Sequence, residues 1–179
     1  IPVLAMTNVK YILTSEYLDI PELKLVYDNI ARIYEIPTFL PRAYFVTNWT
    51  NATSQNEAEN LFFNDQFDPH KYAITENYCG PPPELSQNTA ITNISFIKYS
   101  PTVVDIRCQN DSPGLLILSD YNYPGWKASV DGKMTDIYRA NFLFRAIHIT
   151  PGVHLIHFEY DPITFKIGYT LAGSTLFFI

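Results

Sequence analysis

Apolar and polar residues alternate over much of the chain, a pattern that predicts β-strands. The clearest case is the segment 102–109, where Val104, Ile106 and Cys108 fall on one face of the predicted strand and polar residues on the other. Residues 91–99 are predicted to form a hairpin with this strand. Residues 115–118 (LLIL) are continuously apolar, which is typical of a central strand covered on both faces.

Turn residues separate the other strands of the C-terminal half. Residues 126–130 are followed by the pair Asp131-Gly132, a strong hairpin signal. A Pro-Gly pair separates the segments 144–149 and 153–160. Strands at intervals of about 8–12 residues with turn signals are typical of a β-sandwich. We therefore predict a mainly β protein in which residues 90–166 form an antiparallel sandwich, jelly-roll or immunoglobulin-like.

The N-terminal part, residues 1–80, is predicted to be a small α+β subdomain. Short strands are expected at 9–14, 23–27, 30–36 and 42–47. The one helix that the pattern predicts starts at Ser54, with Glu57 as the capping-box partner, and ends near residue 64. Residues 81–89 begin with three consecutive prolines, which fit neither a central strand nor a helix interior, and predict a linker between the two units.

The last segment, residues 167–179, is apolar and carries no charged side chain. It is shorter than the roughly 20 apolar residues needed to span a bilayer. We interpret it as the start of a transmembrane helix in a longer protein. A buried C-terminal strand is the alternative.

Composition narrows the class of protein. The 179 residues include 12 Lys+Arg and 18 Asp+Glu, a net charge of −6, which argues against a nucleic-acid partner because such proteins need a basic face. The 13 Tyr and 12 Phe favour strands, and the 13 Pro favour turns.

Cysteines and glycosylation sequons suit an exported domain. Cys79 and Cys108 could form one disulfide if they meet, or they could stay reduced. Sequons are dense, but they also arise by chance in chains rich in Asn and Thr. The candidate acceptor residues are Asn48, Asn51, Asn93 and Asn110.

Catalytic and metal-binding motifs are not found in the sequence. There is no P-loop, G-x-S-x-G, H-E-x-x-H or G-x-G-x-x-G pattern. His154 and His157 point to opposite faces of a strand, His148 could approach only one of them, and no ligand cluster completes a metal shell. We therefore assign no catalytic residue, no metal and no cofactor to this chain.

An aromatic group around a predicted turn is the best candidate for a binding site. Tyr121, Tyr123 and Trp126 surround Pro-Gly and could stack on a sugar face, with neighbouring Asn and Asp side chains as hydrogen-bond partners. The alternative is that Trp126 packs over the sandwich core. The candidate glycan contacts are Tyr121, Tyr123, Trp126 and Asp131.

An ordered series of motifs closely resembles the C-terminal extracytoplasmic region of YfhO-like multispanning membrane proteins. Segments in the N-terminal half resemble the part of the family that precedes this region, so that the resemblance covers nearly the whole chain. The series comprises residues 123–128 (YPGWKA), 130–132 (VDG), 137–141 (IYRAN), 144–145 (FR), 152–154 (GVH), 158–162 (FEYDP) and 165–168 (FKIG).

The resemblance implies a link to membrane glycosyltransferases that use polyprenyl-phosphate sugar donors. Their catalytic acid lies in an early loop between membrane helices, a region that this chain does not contain. The resemblance therefore implies a non-catalytic extracytoplasmic domain at the cell membrane. Its expected partners are the transmembrane part of the same polypeptide and a glycan or polyprenyl-phosphate-linked sugar. A purely structural domain and a free-standing carbohydrate-binding module remain alternatives.

Overall fold

Strands account for most of the regular structure in the computed structural model, which describes residues 2–64, 66–83 and 92–176. The N-terminal strands are β1 (Tyr11–Thr14), β2 (Lys24–Asp28), β3 (Arg32–Glu35), β4 (Ala43–Val46), β5 (Trp49–Ala52) and β6 (Ala73–Glu76). The C-terminal strands are β7 (Thr92–Tyr99), β8 (Val103–Asn110), β9 (Gly114–Tyr121), β10 (Trp126–Val130), β11 (Lys133–Thr135), β12 (Tyr138–Ala140), β13 (Phe144–Ile149) and β14 (Gly152–Tyr160). The helices are α1 (Pro2–Met6), α2 (Gln55–Phe62) and α3 (Ile163–Leu176).

Two large sheets form the predicted sandwich. One has five antiparallel strands in the order β11-β10-β14-β8-β7. The other has six strands in the order β4-β9-β13-β12-β6-β5, and its only parallel pair in the described part of the chain is β5 with β6. The mainly β sandwich predicted from the alternation of apolar residues is thus confirmed.

The space between the two sheets is filled by apolar side chains from alternate strand positions. Val104, Ile106 and Cys108 of β8 all point into it, as the alternation predicts, and are at most 1% exposed. They pack with Ile156 and Phe158 of β14 and with side chains of the six-stranded sheet. Burial of these side chains is the main favourable term that holds the sheets together.

The six-stranded sheet is covered on its other face as well. Leu115 and Ile117 of β9 point to a second apolar cluster that includes Ala58 and Phe62 of α2, while Leu116 points to the space between the sheets. All four apolar residues 115–118 are 0% exposed. The fold therefore has three layers, and the prediction of a central strand covered on both faces is confirmed.

Ser54 is the N-cap of α2, as the sequence predicts, but the Glu57 carboxylate bonds Thr53 and not the N–H of Ser54 that a capping box would use. Ser54 accepts a hydrogen bond from the backbone N–H of Glu57 (3.2 Å), and the Glu57 carboxylate accepts hydrogen bonds from the N–H and hydroxyl of Thr53 (2.8 and 2.7 Å). These bonds lower the pKa of Glu57 below its usual value. The chain also has α1 and α3, which the pattern does not predict as separate helices: α1 has five residues, and α3 begins at Ile163, four residues before the apolar tail.

The predicted division into two units requires a correction. Strands β4, β5 and β6 belong to the same six-stranded sheet as β9, β12 and β13, since β4 pairs with β9 and β6 pairs with β12. Only the small sheet β1-β3-β2 is separate in the N-terminal part. Residues 84–89 of the predicted linker and residues 177–179 of the predicted membrane helix lie outside the described residues.

Candidate functional site

An open groove lies at one end of the sandwich, where β7 and β9 end and β10 begins. It has a volume of about 500 Å³. The structure brings three of the four predicted glycan contacts together on its wall. Its lining consists of Tyr99, Ser100, Pro101, Asp120, Tyr121, Tyr123, Trp126 and Arg145.

The aromatic wall is partly open to solvent. The side chains of Tyr121 and Tyr123 are 57% and 56% exposed, and their ring centroids are 6.2 Å apart. Trp126 is half-buried and packs against the cluster between the sheets. The packing of Trp126 over the core is thus observed, while its ring also lines the groove; its contact with a glycan stays a prediction.

Charged side chains form the floor of the groove. Asp120 accepts hydrogen bonds from Arg145 (2.8 Å) and Arg42 (2.7 Å), and the Tyr99 hydroxyl donates to the same carboxylate (3.1 Å). The Arg145 side chain is 2% exposed, whereas that of Arg42 is 40% exposed. One carboxylate thus joins a buried and an accessible guanidinium.

The Trp126 ring lies over the buried guanidinium. The centre of the Arg145 guanidinium is 3.7 Å from the ring centroid of Trp126 and 5.6 Å from that of Phe158. Such contacts between a guanidinium and an aromatic face are favourable when the pair is desolvated. Arg145 therefore holds the indole at the edge of the groove.

A register shift in β9 places the carboxylate. Phe144 of β13 is opposite Tyr121, but the next residue, Arg145, is opposite Leu118. Ser119 and Asp120 are therefore extra residues in β9, and such bulges redirect side chains beside binding sites. Ser119 is held there because its N–H and its hydroxyl both donate to the carbonyl oxygen of Arg42 (2.8 and 3.0 Å).

Burial changes the proton affinity of the groove side chains. Burial lowers the pKa of Arg145, and the neighbouring Asp120 opposes this shift. Arginine starts from so high a pKa that the side chain stays protonated at neutral pH. Burial and the Asp120 carboxylate raise the pKa of Tyr99, so its hydroxyl is a neutral donor.

Helix α3 begins directly beside the groove. Trp126 and Tyr160 have ring centroids 5.4 Å apart, and the N–H of Asp161 donates to the carbonyl oxygen of Gly125 (2.9 Å). The Asp161 carboxylate binds Lys127 (2.6 Å) and Lys166 (2.7 Å), and these bonds lower its pKa. The helix start is thereby attached to the strand that carries Trp126.

Asp131, the fourth predicted glycan contact, lies outside the groove. It follows the last residue of β10, five positions from Trp126, a distance of about 16 Å along an extended strand. Its φ of 52°, together with that of 78° at Gly132, forms the predicted hairpin turn, and its carboxylate accepts from the N–H of Leu155 (2.9 Å) and contacts His154 (2.7 Å). Asp131 therefore stabilises a turn in this structure.

The two cysteines do not meet. Cys79 is exposed and Cys108 is buried between the sheets, and both are free thiols. Burial raises the pKa of Cys108 to about 11, so this thiol is a structural apolar group. The disulfide that the sequence left open is absent from this pair of described residues.

The four sequon asparagines differ in accessibility. Asn110 is only 4% exposed, and its side-chain nitrogen donates to the carbonyl oxygens of Ser112 and Thr150 (both 2.8 Å), so folding blocks modification there. Asn51 is exposed, but its side-chain amide is hydrogen-bonded to the backbone of Tyr78: the nitrogen donates to the carbonyl oxygen, and the oxygen accepts from the N–H. The other two are the half-buried Asn48 and, on β7, the exposed Asn93.

The three histidines considered as metal ligands are distributed over both large sheets. His148 lies on β13 in the six-stranded sheet beside Trp49, not on a strand that neighbours β14, so it approaches neither of the other two. His154 contacts Asp131, and His157 contacts Asp105 (2.6 Å). The described residues hold no cluster of three or more potential metal ligands.

Sequence reasoning missed the charged floor of the groove. Arg42, Asp120 and Arg145 are separated by 78 and 25 positions, so no local motif joins them. The available signal was Arg145 itself, a basic residue within an otherwise apolar strand. Such a residue is rarely buried without a partner.

Comparison with known proteins identifies one family. The family model described as "Bacterial membrane protein YfhO" matches residues 81–172, more than half of the chain and including most of the groove. No curated protein and no solved structure gives a significant match. None of the helices in the described ranges has the length and apolar character required to cross a bilayer.

Proposed function

Because the chain belongs to the YfhO family of bacterial membrane proteins, we propose that it is a non-catalytic, extracytoplasmic domain that holds a glycan for glycosyl transfer. The transfer itself would take place in the membrane part of the same polypeptide. In this proposal the groove binds the acceptor polymer of the cell envelope, and a sugar linked to polyprenyl phosphate is the alternative occupant.

The observation that carries the proposal is the exposed pair Tyr121 and Tyr123 beside the half-buried Trp126. Flat apolar rings with polar tips suit the C–H face and hydroxyl groups of a sugar. A second groove of about 370 Å³ shares Tyr123 and Trp126 with the first. Two adjoining grooves on one aromatic ridge provide room for a chain of several sugars.

The position of the groove supports the proposal as well. It lies where α3 begins, and α3 exposes Ile163, Phe165 and Tyr169 to more than 70% each. An apolar helix in a membrane-protein family is expected to face lipid or other membrane segments. A glycan in the groove would then be held close to the membrane surface.

Binding of soluble oligosaccharides tests the proposal. Isothermal titration with tetramers of glucose, mannose and N-acetylglucosamine should detect binding of at least one of them. The double variant Tyr121→Ala/Tyr123→Ala should weaken that binding by at least about tenfold, or about 1.4 kcal/mol. Tyr17→Ala, which removes another exposed tyrosine (66%) away from the groove, should leave the affinity unchanged. Equal weakening in both variants, or no binding at all, would contradict the proposal.

A structural role is the second candidate, and the small sheet β1-β3-β2 favours it. Leu13, Tyr17 and Ile30 are 70%, 66% and 95% exposed. Leu13 lies on β1 and the other two in connecting segments beside the small sheet, and exposed apolar surface is typical of interaction sites. In this alternative the domain packs through the small sheet on membrane helices of its own polypeptide, and the groove binds no sugar. The titration above separates the two candidates.

A further inference from the structure

Charge in the groove is unbalanced. Asp120 and Arg145 line the groove, and Arg42, which binds Asp120 from outside the lining, adds a second cation to the cluster, in a chain whose net charge is −6. Electrostatic attraction increases where solvent is excluded, as it is around a side chain only 2% exposed. The cluster of Arg42, Asp120 and Arg145 at the groove therefore carries one uncompensated positive charge on a negatively charged molecule.

Asp120 accepts a hydrogen bond from only one nitrogen of Arg145, because its oxygens also accept from Arg42 and Tyr99. One carboxylate oxygen accepts from Arg42, both accept from the Tyr99 hydroxyl, and the other accepts from Nη2 of Arg145. Nε and Nη1 of Arg145 are buried and have no partner among the described residues. Unpartnered buried donors destabilise a fold, and a water molecule or an anion bound in the groove would satisfy them.

Access to this charge is through Arg42. Its guanidinium is 40% exposed and approaches the same carboxylate from the solvent side, whereas Arg145 lies beneath Trp126. Arg42 bonds Asp120 and the Tyr99 hydroxyl, which both line the groove, so an anion bound at this edge of the groove lies next to the Arg42 guanidinium. It would also compensate the buried charge of Arg145 below.

We propose that the groove selects glycans that carry an anionic group, a carboxylate or a phosphate, and that Arg42 is the residue that contacts this group. The proposal rests on the glycan-binding function proposed above. The guanidinium suits both groups, because it offers paired N–H donors in a plane. Tyr121 and Tyr123 bind the sugar ring, and the arginine pair supplies the preference for the charged form.

Matched neutral and anionic ligands test the selection. Isothermal titration compares four probes: a mannose tetramer, a mannuronic acid tetramer, mannose 6-phosphate and inorganic phosphate. The mannuronic acid tetramer should bind at least about tenfold more tightly than the mannose tetramer at low salt. The difference should shrink at high salt, because salt screens a partly exposed charge.

Two charge-matched variants locate the effect. Arg42→Gln should lower the affinity for the acidic tetramer at least about tenfold more than the affinity for the neutral tetramer, and so remove the preference. Arg107→Gln removes the same charge from an exposed position of β8 that neither lines the groove nor binds Asp120, and it should keep the preference. Arg145 is not substituted, because loss of a buried ion-paired side chain would unfold the protein.

Each outcome decides between the two proposals. Equal affinity for the neutral and acidic tetramers would overturn anion selection and leave glycan binding standing. Tight binding of inorganic phosphate without binding of any sugar would support the anion site and contradict glycan binding. Loss of preference in both variants would overturn the assignment to Arg42, and binding of none of the four probes would overturn both proposals.

Discussion

At the scale of single residues, Asn141 joins three parts of the chain. It is 0% exposed, its side-chain oxygen accepts from the N–H of Ile74 (2.9 Å), and its side-chain nitrogen donates to the Tyr44 hydroxyl (2.9 Å). Asn141→Ala should lower the free energy of unfolding by about 2–5 kcal/mol, because two buried polar groups lose their partner. Urea-induced unfolding followed by circular dichroism measures this change.

Asn77→Ala is the matched control for this prediction. Asn77 has φ of 53° and Asn141 has φ of 47°, so both substitutions force alanine into the left-handed region. The side chain of Asn77 is exposed, so its loss should cost only the backbone strain, about 1 kcal/mol. Equal losses in the two variants would show that the amide bonds of Asn141 contribute nothing measurable.

Residues of the candidate site were predictable only where the chemistry is local. Tyr121, Tyr123 and Trp126 lie within six positions around one turn, so their proximity follows from the sequence. Asp131 is only five positions from Trp126 in sequence, but the two residues lie at opposite ends of the extended strand β10. Arg42 and Asp120 meet only because β4 pairs with β9, and pairing of distant strands is not encoded in local pattern.

At the scale of elements, the contact between β4 and β9 depends on Gly114, the first residue of β9. A Cβ atom at Gly114 would lie 2.6 Å from a ring atom of Phe45 and would also clash with the backbone oxygen of Val46. Gly114→Ala should therefore lower the free energy of unfolding by about 1–3 kcal/mol through overpacking. For a protein of this size, each kcal/mol lowers Tm by about 2–4 °C, which calorimetry detects.

Gly168→Ala in α3 is the corresponding control. A Cβ atom there has no neighbour within 4 Å, and alanine is a better helix former than glycine by about 1 kcal/mol. This variant should keep or raise Tm. If Gly114→Ala also left Tm unchanged, the close approach of β4 to β9 would not limit stability.

Elements with strong local signals agree with the sequence, and those that depend on distant partners do not. The cap of α2, the hairpin of β7 with β8 and the burial of β9 follow from residues within each segment. Strands β5 and β6 have only four residues each and form a parallel pair across α2. Such a pair depends on packing of the intervening helix, so the sequence analysis predicts no strand at residues 73–76.

At the scale of the whole molecule, the six-stranded sheet unites the two halves of the chain. Strands β4 and β6 from the N-terminal half flank the block β9-β13-β12 from the C-terminal half. Without them, β9 and β12 would each lose a neighbour. The apolar surfaces of Leu115 and Ile117 would also lose α2 and the rest of the cluster that covers them.

We therefore predict that the C-terminal half does not fold alone. A fragment of residues 81–179 covers the family match, yet it should show no cooperative thermal transition, because the six-stranded sheet has lost three strands (β4, β5 and β6) and one covering layer. Co-expression of residues 1–80 with residues 81–179 should restore the transition, since the cut falls between β6 and β7 and leaves every strand intact. A cooperative transition of the isolated fragment at the Tm of the full chain would mean that the apolar side chains between the two sheets are sufficient to stabilise the fold. The groove would then lack Arg42, so the same fragment would also show whether Tyr121, Tyr123 and Trp126 bind glycan without the charged floor.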